Sequence, residues 1–105
     1  MILSLAALKT LLSSTGLPVV YNAWQESDAP DLPFIVFRQT GNNNFAADNR
    51  VHFGIKEIDV ELYTRVKSPE TEALVETALS DLFWTKSETY LDTEKCYEII
   101  YEIEV

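Results

Sequence analysis

Cys96-Tyr97-Glu98-Ile99-Ile100-Tyr101-Glu102-Ile103-Glu104-Val105 carries the strongest structural signal in this chain. Tyr97, Ile99, Tyr101, Ile103 and Val105 alternate with Cys96, Glu98, Ile100, Glu102 and Glu104. A period of two sends the first set to one side of a strand and the second to the other. The segment therefore predicts a strand with one apolar face and one largely acidic face. The same alternation recurs where Ile58, Val60 and Leu62 interleave with Glu57, Asp59 and Glu61. Strands wet on one side only belong to an antiparallel sheet with one covered and one open face.

Working outward, residues 85–91 predict a further strand, joined to the last by a turn at Asp92-Thr93-Glu94. Ser68-Pro69-Glu70 marks a helix start: Ser caps, Pro suits the first turn, and the acids favour the positive end of the helix dipole. Val75, Ala78, Leu79 and Leu82 then face the core and Glu72, Glu76 and Asp81 face out, with the helix ending near Phe83. Upstream, one strand is expected over about residues 51–65, bent or bulged near Gly54. Gly41 to Asn49, with four Asn, reads as a long loop, since Asn tolerates left-handed backbone angles. Pro33 to Thr40 is rich in β-branched and aromatic residues and predicts a strand. Residues 25–32 form a polar turn, and Val19 to Trp24 a short strand. Ile2, Leu5, Leu8 and Leu12 share one face of a first helix over about 3–14, ended by Gly16 and Pro18. The expected fold is α+β, one domain over 1–105, in the order α-β-β-β-α-β-β. Its mainly antiparallel sheet has about five strands, with both helices packed on one face.

The chain has 105 residues, enough for one core without a metal or disulfide. Apolar residues at 47% and charged residues at 24% exclude collagenous, low-complexity and wholly disordered classes. Eight basic residues against 17 acidic ones give a net charge of −9. Residues 1–56 sum to zero, with Glu26, Asp28, Asp31 and Asp48 against Lys9, Arg38, Arg50 and Lys56. The whole imbalance falls in residues 57–105, where thirteen acids meet Arg65, Lys67, Lys86 and Lys95. Such a chain lacks the clustered cations that hold phosphate backbones or anionic membranes. The apolar start is cut short by Lys9 and has no basic residue before it, and no run approaches the ~20 apolar residues of a span. The expectation is a soluble protein made inside the cell.

One cysteine, Cys96, excludes an internal disulfide, and one histidine, His52, excludes a His-rich metal site. Cys96 and His52 lack a third group to complete a nucleophilic site, and a small packed side chain accounts for Cys96. Glu72 and Glu76 share a helical face and read as a solvated stripe, not a cation site, which needs more converging oxygens. No enzyme and no cofactor is expected. Two features stand out instead. Glu57, Asp59 and Glu61 share one strand face, and Glu98, Glu102 and Glu104 share another. If those strands are neighbours, like charges oppose each other. Such faces serve solubility, or line a space through which nucleic acid slides without sticking. Phe45, in a polar loop, either folds back on the core or anchors a partner. Trp24 and Trp84 are expected in the core.

From Leu8 onward, a short helix runs into Gly16-Leu17-Pro18-Val19-Val20-Tyr21. A Pro33-Phe34-Ile35-Val36 strand leads to Asn44-Phe45-Ala46-Ala47-Asp48-Asn49, an acidic strand ending in Tyr63, the Ser68-Pro69-Glu70 helix and a terminal strand. In this order, length and phrasing the chain resembles the small tail-completion proteins of long-tailed bacteriophages and prophages, also called tail terminators, head-to-tail joining or minor capsid proteins. The resemblance implies an α+β subunit of a six-fold ring at the head-proximal end of the tail, made in the host cytoplasm and kept in the virion. It implies as partners further copies of itself, the tail tube protein and the head connector, with DNA passing through unbound and neither membrane nor cofactor involved. Under it, Asn42, Asn43, Asn44, Phe45, Asp48 and Asn49 are the expected contact with a neighbour or the tube, and Glu57, Asp59 and Glu61 the expected channel lining.

A rival of another class shares the charge and size: a small acidic inhibitor that mimics DNA and blocks a basic nucleic-acid-binding protein. It requires acids spaced like phosphates on one continuous surface. A ligand-binding regulator would need an apolar pocket with converging polar groups, which periodicity does not display.

Overall fold

The computed structural model describes residues 3–25, 27–43, 45–47 and 50–105, with 45–47 and 50–53 described by their backbone. In chain order the elements are α1 (Leu5–Ser13), β1 (Val19–Tyr21), β2 (Phe34–Asn42), β3 (Phe45–Ala47), β4 (Arg50–Phe53), β5 (Lys56–Thr64), α2 (Pro69–Ala78), β6 (Thr85–Leu91) and β7 (Cys96–Glu104). The main sheet has five strands in the order β1-β2-β5-β7-β6, and β3 and β4 form a separate two-stranded sheet. β1 runs parallel to β2 and every other pair is antiparallel. The main sheet with its helices thus has the order α-β-β-β-α-β-β, and the fold is α+β.

The period-two pattern decides which side the helices cover. Ile35 and Phe37 of β2, Ile58, Val60 and Leu62 of β5, and Ile99, Tyr101 and Ile103 of β7 project to one face and are buried. Leu8 and Leu12 of α1 and Val75 and Leu79 of α2 close the same cluster. Ser4 caps α1 by accepting from Ala7 N–H, and Ser68 caps α2 by accepting from Thr71 N–H. Burial of these side chains, each contributing roughly 1.5–3 kcal/mol, commits both helices to this face.

Four sequence expectations shift. The Gly41–Asn49 stretch is not one loop: β2 continues to Asn42, and Phe45 begins β3. The strand expected over 51–65 is two strands in two sheets, β4 and β5, separated at Gly54 and Ile55. The β2–β5 ladder ends at Asn42↔Lys56, and Asn43 N–H still reaches the Ile55 carbonyl at 2.9 Å before the chain departs into β3–β4. Among the described residues, that hairpin departs past the end of the β2–β5 ladder and its backbone pairing is with itself, through Phe45↔Phe53, Ala46↔Val51 and Ala47↔Arg50. α2 stops at Ala78, not near Phe83, because Leu79 leaves helical angles and tight turn bonds from Ser80 to Thr77 and from Leu82 to Leu79 take over.

The fourth correction is Glu72, expected outside and in fact 2% exposed. Lys67 Nζ approaches its Oε2 to 2.7 Å and Lys86 Nζ its Oε1 to 2.6 Å. Lys86 also meets Glu76 at 2.7 Å, and Tyr101 donates its hydroxyl to the same Glu76 oxygen at 2.8 Å. Burial pushes the Glu72 carboxyl up, but hydrogen bonds from Lys67 and Lys86 outweigh it and the net shift is downward. Trp24 and Trp84 are half-buried, set edge-on against Phe34 and Tyr101.

Candidate functional site on the open face of the sheet

The face away from the helices takes the other half of each alternating strand. Register puts Glu57 opposite Glu104 and Asp59 opposite Glu102 on β5 and β7. Glu61 lies opposite Ile100, and Tyr63 opposite Glu98. The two acidic sets are therefore neighbours on one continuous surface. Carboxylates directly across an antiparallel pair repel, at a cost of roughly 0.2–1 kcal/mol for each pair.

Arg38 of β2 is the cation that meets the acids of β5 on this face. It stands opposite Asp59 in register and donates to Glu61 Oε1 at 3.0 Å. Glu61 is 5% exposed, covered by that guanidinium and by Tyr63, whose hydroxyl donates to the same oxygen at 2.8 Å. The Tyr63 oxygen also lies 2.8 Å from Glu98 Oε2. A phenol has one proton, so at any moment it donates to one of these carboxylates, and both keep their negative charge. Burial, then the hydrogen bonds to Glu61 and Glu98, drive Tyr63 well above the ordinary phenol range. Burial and then Glu102 push the Asp59 carboxyl up, with Arg38 pulling it back. The phenol and Asp59 are both pushed toward their neutral forms, as an excess of negative potential requires.

Polarity is graded along the face. Trp24, Phe34 and Tyr63 cluster at one end, Trp24 edge-on to Phe34 and Phe34 tilted against Tyr63, with ring centroids 5.8 and 5.4 Å apart. The acids dominate the other end, where the β3–β4 hairpin departs. There a bulge between Gln39 and Gly41 brings Gly41 against Glu57 so closely that a Cβ would lie 3.1 Å from Oε1. A cleft of about 430 Å³ opens at this end, lined by Thr40, Glu57, Asp59, Asp81, Phe83 and Glu102 among others.

Of the residues expected to make partner contacts, Asn43 joins this end by donating its side-chain amide to Glu104 Oε2 at 2.8 Å. Asn42 is exposed and accepts from Gln39 Nε2 at 2.9 Å. Phe45 opens β3 in the hairpin, paired in register with Phe53. Asn44, Asp48 and Asn49 lie outside the described residues. Glu57, Asp59 and Glu61 sit together as their spacing required, but Glu61 is enclosed while Glu57 is exposed. Periodicity missed Phe83, which is 86% exposed at the cleft and the most exposed large apolar side chain described. Its place four residues after Leu79 imitates the helical core pattern, and only the early end of α2 turns it out. Among the described residues, no group of three or more His, Cys, Asp or Glu is arranged to hold a metal ion. The Cys96 thiol is pushed up by burial and then by Glu94 and Glu98, which disfavours the thiolate.

No family model and no curated protein matches this chain. Among solved structures, its fold is similar to that of a chain in the virion of a native gene transfer agent particle. The TM-score is 0.58 at 13% identity, over 96% of this chain and 87% of the other. At that identity the likeness is one of fold.

Proposed function

We propose that this chain is a structural virion protein that closes the head-proximal end of a phage-type tail as a ring and joins it to the head connector. The observation that carries this reading is the fold likeness to a virion chain, which runs nearly end to end in both molecules. The order of elements and the Asn44–Asn49 phrase, which resemble tail-completion proteins, point the same way. In this role the acidic face of Glu57 and Asp59, extended by Glu98, Glu102 and Glu104, repels phosphates and lets DNA pass without being held, while Glu61, enclosed under Arg38 and Tyr63, lies beneath that lining. The β3–β4 hairpin, standing clear of the sheet, supplies the reach by which Phe45 and the adjoining Asn42 and Asn43 engage a neighbour or the tube. The role involves no enzymatic step, cofactor or membrane.

The test is mass in solution with and without purified tail tubes, followed by negative-stain imaging of the mixture. A ring seated at one end of the tubes is expected, and Phe45→Ala should keep the far-ultraviolet dichroism and melting of the native protein while losing that seat. A chain that ignores the tubes ends the joining role. The continuous acidic surface then favours the second reading, a DNA mimic, whose test is binding to basic nucleic-acid-binding proteins.

A further inference from the structure

The two edges of the main sheet are unlike. β1 has three residues, set between Pro18 and Asn22, whose φ of 72° ends the extended run. It is too short to recruit a strand. β6 has seven residues, no Pro or Gly, and an unbroken register with β7 from Thr85↔Glu102 to Leu91↔Cys96. Thr85 to Tyr90 are exposed. Among the described residues, the only backbone bond made by β6 outside its ladder is Leu91 C=O accepting from Lys95 N–H. A bulge-free edge of this length is a template for strand addition unless something covers it.

Its own sequence identifies the cover. Thr85-Lys86-Ser87-Glu88-Thr89, laid antiparallel on a second copy about Ser87, places Thr85 opposite Thr89, Lys86 opposite Glu88 and Ser87 opposite Ser87. Residues opposite one another share a face, so keeping the helices of both copies on one side allows only centres that fall on a residue. Centring on Lys86 or on Glu88 opposes like charges. Centring on Ser87 makes every pair in the five either oppositely charged or hydroxyl to hydroxyl, both favourable. Glu88 has room for a second cation: with Glu72 and Glu76 it makes three carboxylates against the ammoniums of Lys67 and Lys86. We infer that two copies of this chain pair through β6 about a two-fold axis at Ser87, giving one continuous ten-stranded sheet. A two-fold contact closes on itself, so it is separate from the ring contact of the reading above, and either can fail alone.

Single cysteines on the full chain test the register, since the native Cys96 is buried. Opposed Cα atoms lie about 4.5–5.5 Å apart in an antiparallel pair, inside the range that a disulfide spans. Under mild oxidation Ser87→Cys should form covalent dimers. Thr85→Cys and Thr89→Cys should each stay monomeric alone, their sulfurs about 13 Å from their own copies, yet cross-link when mixed. Adding Glu88→Lys to Ser87→Cys should lower the dimer yield at least tenfold, because it opposes two lysines in each pair. Unmodified protein at tens of micromolar should show twice the 12.0 kDa chain mass. A monomeric mass, no Ser87→Cys dimer, or equal cross-linking of all three single variants overturns the pairing.

Discussion

Two buried glutamates on opposite faces of the sheet show how one residue type meets different surroundings. Glu72 receives two ammonium groups, while Glu61 shares one guanidinium and one phenol. Lys86 lowers the Glu76 carboxyl, against burial and with help from Tyr101, so Glu72 and Glu76 both hold their protons less tightly than free glutamates. A depressed carboxylate stabilises the fold above its unfolded value, about 4.3, and loses that contribution as pH falls through the folded value. Asp59 has the opposite sign: raised by burial and Glu102, it costs stability at neutral pH and is relieved as pH falls through its raised value. Urea midpoints should therefore rise slightly on mild acidification and fall below about pH 4. Asp59→Asn should raise stability at pH 7 by about 0.2–1 kcal/mol and remove the mild-acid rise. Glu72→Ala should cost about 1–3 kcal/mol, the lower end reflecting that Lys67 and Lys86 can turn to water.

At the scale of elements, β5 is the member on which both faces depend. Its Ile58, Val60 and Leu62 enter the core and its Glu57, Asp59 and Glu61 build the acidic surface. Among the described residues, the β3–β4 hairpin has backbone pairing between its own two strands alone. A two-stranded pairing by itself is marginal in water. Backbone amides of residues 45–47 and 50–53 should exchange faster than those of β5 and β7 by roughly a hundredfold or more. If the hairpin engages a tube or a neighbouring subunit as proposed above, that exchange should slow in the complex, which mass spectrometry measures.

Across the whole molecule, the charge of −9 and the departing hairpin set the behaviour. The radius of gyration is 14.7 Å, against about 13 Å for a compact chain of this length, and the longest extent is 49 Å. Exposed like charges weaken with ionic strength, whereas the buried Glu72 contacts are screened less. Melting temperature should accordingly rise between 10 mM and 0.5 M sodium chloride, and Asp59→Asn should show a smaller rise. A melting temperature that falls with salt would mean that attractive pairs outweigh the repulsion on the open face.

Local signals by themselves determined the class of this fold. The period of two at 57–62 and 96–105 and the Ser68-Pro69 helix start depend on neighbours within a few residues, so they are legible along the chain. The strand at 85–91 and the helix-strand order follow from the same kind of signal. Tertiary structure alone decided that Glu57 meets Glu104 and Asp59 meets Glu102, because register is settled by cores and turns far apart in sequence. It also decided that Glu72 is enclosed, since Lys67 and Lys86 reach it from outside the helix that carries it. The division of 51–65 between two sheets has the same origin. Alternation is a property of each strand, but its place in a sheet depends on which backbone groups lie beside it, and those belong to other elements.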